Sequence, residues 1–145
     1  MALPHIGVVD LPAPPPEFHL ETWLGTLARL EQVDAHTFYP THYGPVTDVH
    51  GHLTALRTLM IDAVAFVSER LKDLTGGAEE NPAGREPIAA PVRSKLLEEY
   101  IGWNRERAAA LHLSPTVIRS YELANPLFMS VDGILRYLRK RGAVG

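Results

Sequence analysis

The chain has 145 residues, 46% of them hydrophobic and 21% charged, which is the balance of one compact domain or of a domain with an appendage. With no cysteine it excludes disulfides, thiolate metal sites and a cysteine nucleophile. A formal charge of −3 provides no global basic field for a nucleic-acid partner, and no apolar run approaches the roughly 20 residues of a membrane span.

The amino terminus, "MALPHIGVVDLPAPPPEF", lacks the basic start and continuous apolar core of a signal peptide, so a cytoplasmic setting is expected. Its apolar run Ile6–Val9 gives way at once to prolines 12, 14, 15 and 16, which fix φ and force an extended or turning segment. Then Leu20, Trp23, Leu24, Leu27, Leu30 and Val33 recur at three- and four-residue steps. That stripe predicts an amphipathic helix over 18–33.

"DAHTFYP" predicts a short strand ending at Pro40. Its partner should be the Ile6–Val9 run, an oligomer mate, or a part of the fold that this chain lacks. Thr47 and Asp48 offer capping oxygens, and Leu53, Leu56, Leu59, Met60, Val64, Phe66, Val67 and Leu71 predict a long helix. Residues 75–91, "TGGAEENPAGREPIAAP", form the linker candidate, because glycine, proline and charge dominate there.

Three helical patterns follow: "VRSKLLEEYIGWNRERAAALH", "SPTVIRSYEL" and "SVDGILRYLRKRG". Ser114–Pro115 is a helix-start pair, Ser130 is the expected cap of the last helix, and Gly142 its stop. Trp23 and Trp103 fall at core spacing. Glu98, Glu99, Arg105, Glu106 and Arg107 form a mixed charged face of the kind that is ordinarily solvated.

The stretch with chemical content is "YPTHYGPVTD", residues 39–48. A β-prone run stops at Pro40, presents His42 in a turn, and leads through Gly44 and Pro45 into an acidic cap. A histidine fixed at a strand end suits a metal ion or a proton transfer, and equally a hydrogen bond to a neighbouring helix terminus. His50 and His52 share an H-x-H spacing, but two residues apart on a helix do not share a face. His19, His36 and His112 carry no signal of their own.

Helix, short strand, Pro-x-His-x-Gly-Pro turn, capped long helix: this order resembles the carboxy-terminal part of metallo-β-lactamase-fold hydrolases. The similarity rests on "TWLGTLARLEQV" and "YPTHYGPVTD" and covers about residues 2–74. The family's usual glycine before the histidine is Thr41 here, and Tyr43 stands between the histidine and Gly44.

The resemblance implies an αβ/βα sandwich, of which this chain would hold the mainly helical end with minor strand (α+β). Residues 1–74 would be the carboxy-terminal portion of that domain, 75–91 a linker, and 92–145 a helical, winged-helix-like appendage. It implies zinc, with His42 as the last ligand, Tyr43 and His5 near substrate, and hydroxide attack on an ester, thioester, amide or phosphodiester. The family's H-x-H-x-D-H loop has no counterpart, so the chain would begin just beyond its own catalytic centre and be inactive alone. A small-molecule substrate and a homo-oligomer are the partners implied, with neither membrane nor nucleic acid. The alternative, of another class, is a stand-alone helical or winged-helix-like binding module without catalysis. Basic residues 136 and 139–141 fit a helix's last turn through the macrodipole as well as they fit DNA.

Overall fold

The computed structural model describes residues 9–40, 44–76 and 88–142. Among them are five helices and no sheet: α1 (Leu20–Leu30), α2 (Val49–Leu74), α3 (Ala90–Ala110), α4 (Pro115–Ala124) and α5 (Leu127–Gly142). α2 packs on α1, α3 and α5, and α3 also packs on α5. None of the described helices is long and apolar enough to cross a membrane.

Local chemistry starts or stops three of the helices. Asp48 caps α2, its Oδ1 accepting from the Gly51 amide at 3.0 Å. Ser114 caps α4 through the Val117 amide, with Pro115 in the first turn. α2 ends at Thr75 and Gly76, the glycine holding φ +70. α3 ends in the same fashion without a glycine. The His112 amide donates to the Ala109 carbonyl at 2.9 Å and the Leu113 amide to Ala108 at 3.2 Å, while His112 takes φ +55. This pair of bonds is a Schellman motif with histidine where glycine is favoured.

The core runs through α2 and α5. Leu53, Leu59, Met60, Ala63, Val64 and Val67 of α2 are buried, as are Val131, Ile134, Leu135 and Tyr137 of α5. α3 adds a narrow seam of Leu96 and Tyr100, and α1 adds Leu27. Charged clips join the helices at their edges. Arg93 grips Asp132 of α5 by two bonds of 2.6 Å, and Arg105 grips Glu122 of α4 at 2.8 and 3.2 Å. Arg57 reaches Glu31 at 2.7 Å, and Arg70 approaches Glu99 at 3.7 Å.

Residues 9–14 form a strap across α5, ahead of a turn at residues 15–17. Leu11 and Ala13 are buried, and the Leu11 carbonyl accepts from Asn125 Nδ2 at 2.8 Å and Ser130 Oγ at 2.9 Å. Pro126 restricts Asn125 to extended backbone, φ −134, and so aims its side chain at the strap. Gly133 makes the close approach feasible: a Cβ there would lie 1.8 Å from the Ala13 carbonyl oxygen.

The fold class expected from the resemblance is therefore corrected. The α+β end of a metallo-β-lactamase sandwich needs a strand laid into a sheet. Here Phe38 forms a lone antiparallel bridge with Val46, through bonds of 2.9 and 2.7 Å. Among the described residues, the β-prone run pairs with Val46 and enters no sheet. Ser130 is corrected as well: α5 starts three residues earlier, so this serine lies buried within the helix and holds the strap.

Candidate functional site

The expected zinc centre is overturned first. Among the described residues no group of three or more histidine, cysteine, aspartate or glutamate side chains could hold a metal ion. A hydrolytic zinc requires at least three protein ligands. The zinc cofactor, the hydrolase activity and the metallo-β-lactamase membership fall with that finding and with the missing sheet. His42, Tyr43 and His5, the site residues taken from the resemblance, lie outside the described residues.

The remaining histidines are dispersed. His50 is exposed in the first turn of α2, whereas His52 is half-buried with its ring 5.7 Å from that of Phe38. His19 lies at the start of α1, its Nδ1 3.3 Å from Glu21 and its ring edge-on to Tyr137. His36 is exposed, and His112 serves the α3–α4 turn.

A cleft opens instead where the end of α3, α4 and the start of α5 meet. Ala108, Leu111, Leu113, Ile118, Tyr121 and Leu127 give it an apolar lining, and Val9 and Asp10 of the strap close one side. Local structure places these groups. The Schellman turn reverses the chain between Leu111 and Leu113, and one helical step of three then sets Ile118 beside Tyr121. The Arg105–Glu122 clip ties α3 to α4 beside the cleft and raises the guanidinium pKa through its hydrogen bonds. With a volume of ≈ 60 Å³ the cleft has room for about four waters, or for one aliphatic side chain.

Its polar groups are largely engaged. Asp10 Oδ1 accepts from the Leu11 amide at 2.9 Å, and Oδ2 accepts from Asn125 at 3.0 Å. Asn104 Nδ2 donates to the Tyr100 carbonyl at 2.9 Å. Burial, and then the charge of Asp10, raise the pKa of Tyr121, which keeps its hydroxyl protonated at neutral pH. The arrangement provides a shape and an apolar wall with a few fixed dipoles.

The helices and the turn that build the cleft also expose apolar side chains. Leu111 is 54% exposed; Leu123 and Phe128, next in sequence to the lining residues Glu122 and Leu127, are 74% and 47% exposed. A second, shallower groove lies between α2 and α3, over Asp62, Phe66, Glu69, Trp103 and Arg107. There Phe66 stacks on Trp103 at 5.0 Å, Arg107 lies 4.9 Å over the Trp103 ring and Arg70 lies 5.7 Å over Phe66. With the arginines on these rings, the aromatic pair serves the α2–α3 packing.

Sequence reasoning missed this cleft. Its available signals were the step from Ile118 to Tyr121, the Asn125–Pro126 pair that stops α4, and two leucines flanking His112. On the charged face of α3, Glu98, Arg105 and Glu106 are exposed as expected, and the sequence did not show that Arg105 and Glu99 reach α4 and α2 or that Arg107 covers Trp103. Comparison with family models, with curated proteins and with solved structures finds no match for this chain.

Proposed function

We infer that the chain is a non-catalytic helical binding module whose α3–α4–α5 cleft receives one apolar side chain from a protein partner. The observation that supports this most is the ≈ 60 Å³ apolar recess, with Leu111, Leu123 and Phe128 left exposed on and beside its lining elements. Clefts that enclose substrate-sized molecules run to roughly 300–1,000 Å³, so this one suits an anchor residue. Burying one leucine or isoleucine side chain contributes about 1.5–3 kcal/mol, and flanking contacts along the exposed leucines would supply the rest. A chain without cysteine is indifferent to redox poise, which agrees with the cytoplasmic setting proposed alongside.

The test uses the full chain, immobilised and panned against a random dodecapeptide display library. Enriched sequences are expected to share one aliphatic or aromatic anchor, and to lose binding to Leu113→Asp while that variant keeps wild-type circular dichroism. Ile118→Asp gives a second, independent lesion in the same wall. Absence of any enriched sequence, or peptides that bind both variants as well as the wild type, would remove the cleft as the binding site.

A further inference from the structure

The lip of the cleft carries a positive charge with no carboxylate partner among the described residues. α3 bears three arginines, and two are committed: Arg93 to Asp132 and Arg105 to Glu122, each by a two-pronged pair. Arg107 lines the cleft too, and no carboxylate of the described residues lies within ion-pair distance of it. The face of Trp103, 4.9 Å from the guanidinium carbon, holds it in place. An arginine laid on an aromatic ring keeps its N–H edge free to donate in the ring plane and loses little side-chain entropy when an anion arrives.

Around it, the cleft's other charges are held in place by partners of their own. Glu122 answers Arg105, while the Asp10 carboxylate already accepts from Leu11 and Asn125. Asp62 and Glu69, which line the neighbouring groove with Arg107, form no ion pair with it. The net result is an apolar recess with a ring-held arginine at its lip that has no carboxylate on it, and with the hydrogen-bonded carboxylate of Asp10 in its wall.

We propose that the partner is an acidic peptide segment, in which a carboxylate lies within a few residues of the apolar anchor and pairs with Arg107. This rests on the reading of the cleft as an anchor site and adds the partner's charge to it. The pairing selects among anchors rather than creating the affinity. A partly exposed ion pair is worth up to about fivefold in Kd, and more where the guanidinium bonds both carboxylate oxygens.

Panning the same library against wild type, Arg107→Gln, Arg107→Lys and Arg107→Glu separates the two layers. The wild type and Arg107→Lys should enrich Asp or Glu near the anchor. Arg107→Gln should keep the anchor and lose the acidic bias, and Arg107→Glu should change the bias to Lys or Arg. An enriched acidic peptide should bind Arg107→Gln about two- to fivefold more weakly, and the gap should close at high salt. An anchor without acidic bias in the wild type, or an unchanged bias in Arg107→Glu, would overturn the role of Arg107 while leaving the cleft reading intact. Loss of the anchor itself would overturn both.

Discussion

Gly133→Ala is the sharpest perturbation of the packing that builds this site. Five glycines stand in the described helices, Gly51 in the first turn of α2, Gly142 at the end of α5, and Gly25, Gly102 and Gly133 in helix interiors, where alanine has the higher propensity by about 1 kcal/mol. Gly25 and Gly102 have open space where a Cβ would go. At Gly133 the new carbon would lie 1.8 Å from the Ala13 oxygen, 2.9 Å from its carbonyl carbon and 3.2 Å from the carbonyl carbon of Pro14. Those neighbours are backbone atoms flanked by Pro12 and Pro14, which cannot swing aside as a side chain can. The strap must retreat by well over an ångström, which exposes Leu11 and breaks the bonds from Asn125 and Ser130.

Lost burial of the leucine costs about 1.5–3 kcal/mol and each hydrogen bond about 1 kcal/mol, against the propensity gain. The net expectation is destabilisation by about 2–4 kcal/mol, a sizeable share of the roughly 5–15 kcal/mol that holds a domain folded. Urea unfolding followed by Trp fluorescence and far-UV circular dichroism reads it directly. The midpoint should fall by about 1–2 M for Gly133→Ala and hold or rise for Gly25→Ala and Gly102→Ala. A Gly133→Ala midpoint at or above wild type would refute the strap's seating, and with it the wall that Val9 and Asp10 give the cleft.

Two further substitutions probe local terms. His112→Gly relieves a left-handed residue at the Schellman turn, which costs roughly 1–2 kcal/mol for a non-glycine, and returns part of that as unfolded-chain entropy; a gain of about 0.5–1 kcal/mol in urea stability is expected. The Tyr137 hydroxyl donates to Glu21 Oε1 at 2.8 Å and is the leading cause that holds the Glu21 carboxyl below its ordinary pKa. A lowered carboxyl pKa contributes stability above the unfolded value that is lost as pH falls through the folded one. Tyr137→Phe should therefore raise the Glu21 pKa in a ¹³C-carboxyl titration and flatten the acid limb of stability below pH ~4.5. An unchanged titration would show that the hydroxyl does not set it.

Local chemistry was legible in the sequence, and long-range pairing was not. Asp48 and the Ser114–Pro115 pair signalled their helices because a cap acts within three residues. The stripe Leu53–Leu71 signalled α2 because burial follows the helical period. Thr37–Tyr39 invited a sheet because β propensity describes one strand and says nothing of its partner, which here is Val46, a few residues on. The same local content carried the family resemblance: a β-prone run, proline, glycine and an acidic cap also occur where Phe38 merely bridges Val46 and Asp48 starts a helix.

The strap shows the limit from the other side. Leu11 and Ala13 meet Ser130 and Gly133 across more than a hundred residues, so an apolar run before prolines could not announce its groove. Ser130 was misassigned because a serine before an apolar stretch looks like a cap from sequence, whereas α5 had already begun after Pro126. Arg105 and Glu122, seventeen residues apart, likewise became a pair only once α4 folded back beside α3.

The most direct measurement is a two-dimensional ¹⁵N–¹H titration of the full chain with an enriched apolar-acidic peptide. If the cleft is the binding site, the largest shifts fall on the amides of Ala108, Leu113, Ile118 and Tyr121 and on the Arg107 side-chain N–H, while α1 and the Phe38–Val46 bridge stay still. Shifts centred on the Phe66–Trp103 groove, or spread without a focus, would contradict it.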